Sequence, residues 1–430
     1  MKAKIEHLSS VLKTKLEKLL FLAIIFFIPS QLGKHFWPNF SFISGIRIDY
    51  LSPTIYFTDL LILALLILVF IKSFRNGILN KWFENTKFQK MLFLLSSFLA
   101  VNTLLSQNIF LSFYYFLKLI EFSLFAYIVV IFISKVGKKE LSLTISFAII
   151  LQSVISIVQY INQRSIEGVF YFLGERSFSG ATPGIANASI DGSLLLRAYG
   201  TFSHPNVLGG FLLLFMVFLL FNIKNKKTES ILPIAAIIIG SSALILTFSR
   251  LSIVLWIISL AIFAVLKIRK GFLDKGIFIF LILAFTIFTA IIYSAFFFRI
   301  SQTSLSEESF ILREALFLDA IFVFLKNPVI GAGMGNFISK ASLYGNIYIL
   351  QPAHNIFLLI LIQTGIIGFM VSLWLLYKTY INLLVKKSPY LIMIFFWIIV
   401  LGMFDHYFLT VQQGQLMSAF FIGFFWSKNE

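Results

Sequence analysis

Uninterrupted apolar runs of about twenty residues recur along the chain, the helix length that crosses about 30 Å of hydrocarbon. They predict spans near 16–33, 55–71, 91–105, 113–133, 141–161, 206–223, 231–248, 251–267, 276–296, 355–377, 390–404 and 415–426. Strand-like alternation of apolar and polar positions is missing, which argues against a membrane barrel. The expected architecture is an all-α polytopic membrane protein of about 12 transmembrane helices, one integral membrane domain over 1–430. No internal repeat of the kind many secondary transporters carry is visible.

Charge orients this pattern. Segments 1–18, 72–90, 134–140, 224–230, 267–275, 378–388 and 427–430 hold 24 of the 35 Lys and Arg. The alternate segments 30–54, 106–112, 162–205, 249–250, 297–354 and 405–414 are longer in total and hold 10. The positive-inside rule then sets both termini in the cytoplasm. Lys2, Lys4, Lys13, Lys15 and Lys18 precede the run Leu19–Ile28, and Pro29-Ser30-Gln31-Leu32 is a poor cleavage site. A retained first helix is therefore expected.

Composition narrows the function classes. The chain is 59% hydrophobic and only 12% charged, which excludes an ordinary soluble domain. A net charge of +17 carried mainly in short loops points to membrane lipids as surroundings, with no nucleic-acid partner. With no cysteine, disulfides, thiolate nucleophiles and cysteine metal sites are excluded. Asp49, Asp59, Asp191, Asp274, Asp319 and Asp405 form no Asp-x-Asp pair, and the outer carboxylates are scattered. Neither a metal site nor a cofactor is expected, and a two-carboxylate hydrolase is weakly supported.

Two outer segments, 162–205 and 297–354, are too long to be mere connectors. The first is rich in Gly, Ser and Ala over Ser177–Ser193 and ends in a polar motif at Arg197. The second predicts a helix over about Glu307–Lys326, with Phe310, Leu312, Leu316, Ile321 and Phe324 among charges, of a kind that lies on a membrane surface.

Candidate chemistry gathers at outer helix ends. Arg197, Arg250 and Arg313 stand beside apolar runs, where a guanidinium is expensive unless paired or solvated. Arg250 sits in the hairpin Leu246-Thr247-Phe248-Ser249-Arg250, where it either snorkels to headgroups or clamps a phosphate through its planar fork. His204 precedes Pro205-Asn206, a helix start, and is either a cap or a ligand of substrate. His354 enters the span at 355 and is either structural or the group that accepts a proton from an attacking hydroxyl. Gly331 and Gly333 belong to a glycine-rich turn without the lysine and hydroxyl of a P-loop, so tight packing near the site is the favoured reading. Lys118 and Glu121, three apart, predict a buried pair or a proton path. Asp405 and His406, with Gln412 and Gln413, make a last polar cluster.

Taken in order, these motifs resemble the O-antigen ligase and polymerase family of bacterial envelope proteins. The matching pieces are Arg197-x-x-Gly200-Thr201-Phe202-x-His204-Pro205-Asn206, Ser249-Arg250, Arg313, Pro328-x-x-Gly331-x-Gly333, and His354-Asn355 followed by Gly365 and Gly368. They cover about 195–370, and Asp405-His406-Tyr407 with Gln412-Gln413-Gly414 resembles a C-terminal element of part of the family. The resemblance implies a fold related to membrane glycosyltransferases, in the plasma (inner) membrane, with the active site on its outer face. It implies metal-independent transfer of a glycan from an undecaprenyl diphosphate carrier to a glycan, lipid or protein acceptor. Arg197, Arg250 and His354 are its catalytic candidates. Arg313, His204, Asn355, Gly331, Gly333, Asp405 and His406 are its substrate-binding candidates. A polysaccharide polymerase and a protein O-oligosaccharyltransferase share the signature, and a twelve-helix glycolipid or solute transporter is the rival from another class.

Overall fold

The computed structural model describes residues 2–75, 87–190, 192–223, 227–269, 308–343 and 350–427. Helices occupy every expected span except 276–296, which lies outside the described residues. In chain order they are α1 (Lys2–Phe27), α2 (Phe57–Arg75), α3 (Lys87–Leu104), α4 (Ile109–Phe132), α5 (Lys138–Asn162), α6 (Pro205–Asn222), α7 (Lys227–Leu246) and α8 (Arg250–Arg269). They continue with α9 (Glu308–Lys326), α10 (Phe337–Leu343), α11 (Ile356–Lys386), α12 (Pro389–Phe404), α13 (Tyr407–Thr410) and α14 (Gln412–Trp426).

Five of these helices are long and apolar enough to cross a membrane: 57–74, 109–132, 138–162, 205–222 and 356–386. The helices 93–104, 230–246, 250–266 and 389–404 are apolar but shorter. Apolar surface is also left outside. Leu60, Leu63, Ile67, Phe70 and Phe74 form an exposed stripe along α2, which would be costly in water and is neutral against lipid tails. The protein is membrane-embedded.

The core sits around α6, which is buried along almost its whole length and is packed by α5, α7, α8, α12 and α14. A helix apolar on every side belongs in the middle of a bundle. Phe202, Phe211, Phe215, Phe420 and Phe421 stack through this centre.

Helix α11 is broken. Gly365 has φ 64° and ψ −173°, a conformation essentially reserved for glycine. The turn 327–336 fills the break: Ala332 and Gly333 N–H donate to the carbonyls of Ile362 and Gln363 at 2.8 and 3.0 Å, and Ile366 N–H donates to Pro328 O at 2.8 Å. Asn102 on α3 ties both sides, donating to Ile330 O at 2.8 Å and Gln363 O at 3.0 Å. The turn and Asn102 thereby supply partners for backbone groups that such a break frees in a dry interior.

The all-α expectation needs one correction. Three antiparallel ladders occur among the described residues: β1 (Gly33–His35) with β4 (Thr54–Tyr56), β2 (Phe42–Ile43) with β3 (Ile46–Arg47), and β5 (Asn187–Ile190) with β6 (Ser193–Leu196). Runs of two to four residues are too short to show an alternating pattern. Helix α9 forms where the amphipathic helix was expected. It buries Leu316, Ala320 and Val323 toward α10 and α11, but it also exposes Leu318, Phe322 and Leu325.

Candidate active site

The segment before α6 is fixed by α5. Gln159 takes the N–H of Tyr199 and Gly200 on Oε1, at 3.1 and 2.8 Å, and donates to Gly200 O at 2.8 Å. Gln152 takes the Thr201 N–H at 2.9 Å. Gly200 has φ 60°, and a Cβ there would lie 2.7 Å from Gln152 Oε1, so the glycine of the motif permits a close approach. Ala198 N–H then donates to Leu246 O at 2.9 Å, which stitches the segment to the turn between α7 and α8.

Arg197 is buried between these parts. Its Nε donates to Thr247 O at 2.8 Å and its Nη2 to Asn206 Oδ1 at 2.6 Å. Asn206 in turn donates to Asp405 Oδ2 at 2.9 Å. Arg250 opens α8 just past the same turn, whose Thr247 carbonyl holds Arg197. His204 caps α6, its Nδ1 accepting the Asn206 N–H at 3.1 Å, with Pro205 at the first helical position.

Asp405 is the hub. Its Oδ1 accepts the His406 N–H at 2.7 Å and faces His354 Nδ1 at 3.7 Å. That last distance is too long for a formed hydrogen bond, and Nδ1 is buried without another partner. The rings of His354 and His406 lie 4.9 Å apart, and Tyr50 meets His406 edge-on at 5.5 Å. Asn355 caps α11 by accepting the N–H groups of Phe357 and Leu358 at 2.9 and 3.0 Å, so its oxygen is committed and fixes the residue before it.

These groups border a cavity of about 590 Å³ built where helix ends meet the segments 31–56, 171–204 and 351–354 and the turn at 405–415. His204, His354, Asp405 and His406 line it. Arg197, Arg250, Arg313 and Asn355 are not among the described residues on its wall. Arg197 stands one asparagine behind it, and Arg313 is exposed on α9 with a charge that reaches His406. Gly331 and Gly333 lie in the break of α11 and against Ser106, where they pack backbone, and they do not line the cavity. A second cavity of about 340 Å³ is almost wholly apolar, and Tyr115 and Gln415 border both.

Several cavity residues escaped the sequence reading. Tyr50, Tyr56, Tyr114, Tyr115, Tyr171 and Tyr199 line the wall beside Tyr407 of the Asp405-His406-Tyr407 cluster, together nearly half of the 15 tyrosines in the chain. Such rings offer apolar faces and polar tips to a ligand. They are scattered over the sequence, so no spacing announces them. Lys118 also reaches the wall. It pairs with Asp59 as well as Glu121, and Gln412 Oε1 is a third acceptor at 3.3 Å. Arg176, in the loop before the Gly- and Ser-rich stretch, completes the charged lining.

Burial sets the histidine charges. His204 is pushed down to about 3, first by burial and then by Arg197. His406 is pushed down to about 4 by burial, with Asp405 opposing and His354 and Arg313 adding to the effect. Burial works against the charge of Asp405, but His354, His406 and His204 outweigh it and hold the carboxyl below its ordinary range. Both lowered histidines lie under the free value of 6.5, so between about pH 6.5 and 4 the unfolded chain binds more protons. Stability therefore falls as pH falls through that window. The melting temperature of the detergent-solubilised chain should drop from pH 7 to pH 4.5, and His406→Gln should drop less steeply; an equal slope would contradict a neutral buried His406.

His354, Asp405 and His406 each offer a ligand atom, all within 4.8 Å of one another, so this cluster has the donors for a divalent cation. Part of that capacity is already used. His406 Nδ1 is 2.6 Å from Thr410 Oγ1, and Asp405 takes two hydrogen bonds from the protein.

Comparison with known proteins bears on this arrangement. Residues 234–373 match the family model described as O-antigen ligase. The matched segment runs from α7 through the Arg250 turn, α9 and the glycine-rich turn to His354 and the broken helix α11. No curated protein matches the chain.

Proposed function

Proceeding from the chain's place in the O-antigen ligase family, we propose that it is a glycosyltransferase of the bacterial plasma membrane. It moves an oligo- or polysaccharide from an undecaprenyl diphosphate carrier to an acceptor hydroxyl at the outer face. About twelve transmembrane helices, with both termini in the cytoplasm, carry the site. The observation that carries this reading is the hydrogen-bonded line Arg197–Asn206–Asp405, which faces His354 at the wall of a tyrosine-lined cavity.

The chemistry follows from that line. His354 takes the proton of the acceptor hydroxyl as its oxygen attacks the anomeric carbon. The bond from that carbon to the diphosphate oxygen breaks, and its electron pair leaves with the diphosphate. Asp405, facing Nδ1, stabilises the imidazolium that forms and leaves the other ring nitrogen for the substrate. Arg197 positions the carboxylate through Asn206, and Arg250 and Arg313 add positive charge where the departing diphosphate gathers negative charge. The adjoining apolar cavity, bordered by Leu119, Phe122, Ile356 and Ile360, suits an isoprenoid tail.

The reaction needs no metal. The guanidinium charge of Arg313 already acts on His406 of the cluster, and that of Arg197 acts on His204 beside it, and both disfavour a divalent cation there. Transfer from a lipid-diphosphate glycan should therefore survive EDTA. Arg250→Ala should lower it about a hundred- to a thousandfold, with Arg250→Lys between. Activity lost to EDTA and restored by Mg²⁺, or full activity in Arg250→Ala, would refute this reading. A deletion strain separates the acceptors: undecorated core marks a ligase, and one repeat unit per acceptor marks a polymerase.

A further inference from the structure

Two permanent cations stand among the described residues that line the main cavity, and they are held differently. Lys118 is neutralised by Asp59 and Glu121. Arg176 has Asp49 as its ion-pair partner, with Nη2 and Oδ2 3.9 Å apart and both side chains 52% exposed. A pair so long and so open to solvent stabilises little, because water screens it and both side chains lose freedom to hold it.

The backbone beneath Arg176 is, by contrast, firmly anchored. Its neighbour Glu175 is buried and accepts from Gln159 Nε2 at 2.7 Å, Ile166 N at 2.8 Å and Glu167 N at 2.7 Å. Gly174 presses on the backbone at 31–32, where a Cβ would come within 2.6 Å of Gln31 N. Gln159 is the same side chain that fixes the Tyr199–Gly200 motif, so the Arg176 loop and the catalytic frame share one support. The Arg176 charge is felt at His35, Tyr50, Tyr56 and Tyr199, all on the cavity wall.

A loosely held guanidinium on a rigid base is suited to exchanging one oxyanion for another. We propose that Arg176 is the anion receptor of this cavity, and that Asp49 occupies its fork until the substrate's anionic group displaces it. The ligand is an oxyanion that accepts two parallel hydrogen bonds, either a phosphate of the lipid diphosphate or the carboxylate of an acidic sugar. The inference deepens the glycosyltransferase reading and rests on it for the identity of the substrate.

The two partners must then act in opposite directions. The full chain in detergent, titrated with inorganic pyrophosphate and separately with glucuronate, supplies the test through calorimetry and ligand-induced shifts in melting temperature. Arg176→Ala should weaken binding of the recognised anion about ten- to a hundredfold, the range of a charged hydrogen bond, and Arg176→Lys should weaken it less. Asp49→Asn should tighten it, a gain that misfolding cannot produce. Response to pyrophosphate identifies the diphosphate as the source, and response to glucuronate alone identifies the glycan. An Asp49→Asn chain that binds as weakly as Arg176→Ala would overturn the proposal and make the pair structural. So would binding indifferent to both residues, or no binding of either anion. Anion binding is read apart from glycan transfer, so a failure of the catalytic reading leaves this result standing or falling by itself.

Discussion

His354→Ala is expected to lower glycan transfer by about a hundred- to ten-thousandfold, the usual contribution of a positioned proton acceptor. The variant should reach the membrane at normal levels. His354 is only half-buried, and the helix it precedes is capped by Asn355, whose oxygen holds two backbone N–H groups without help from the imidazole. A loss confined to the chemical step would appear in the turnover rate. His354→Gln should not rescue it, because an amide cannot take a proton near neutral pH. Full activity in either variant would remove the base from the mechanism, whatever became of the cavity.

Gly365→Ala should prevent accumulation of folded protein. Two costs act together. The backbone at φ 64° and ψ −173° strains any L side chain by about 1–3 kcal/mol. A Cβ would also lie 2.2 Å from Val329 O and 2.4 Å from Val329 C, which are backbone atoms of the turn that fills the break. Relieving that clash means withdrawing the turn, with loss of the bonds from Ala332, Gly333, Ile366 and Asn102. Overpacking alone costs about 1–3 kcal/mol, and orphaned backbone groups in the interior add to it. The measurement is the amount of folded chain recovered by gentle detergent extraction. Gly45→Ala is the comparison: that glycine also has φ of +79°, but nothing lies within 4 Å of its would-be Cβ. Equal recovery of Gly365→Ala and wild type would mean that the turn does not depend on the break.

Most of the helical frame was legible from apolar runs, because a membrane-embedded helix needs them whatever its neighbours are. The break at Gly365 was half legible. Gly365 and Gly368 stand three apart, a spacing that lets another helix approach one face, and Gly368 does meet Phe98 of α3, while the partner of Gly365 proved to be the glycine-rich turn. The pair Lys118–Glu121 was readable at helical spacing, but its third member, Asp59, lies 59 residues away on α2. The same limit hid the hub of the site. Asn206 and Asp405 stand 199 residues apart, and only packing brings them within 2.9 Å. Arg176 was hidden for another reason. Its loop read as Gly-, Ser- and Ala-rich, and the signal available was the single charged pair Glu175-Arg176 at its edge, one residue buried as an anchor and the other turned to the cavity.

The central claim is that this chain forms and breaks bonds to a lipid-borne sugar, and one measurement addresses it most directly. The purified chain is placed in vesicles with a labelled glycan on an undecaprenyl diphosphate and an acceptor, with EDTA present, and freed carrier diphosphate is counted against glycan joined to acceptor. The account predicts that the two rise together one for one, and that both stop in His354→Ala. Glycan that crosses the bilayer still attached to its carrier, with no diphosphate freed and nothing joined, would contradict it and make the protein a transporter.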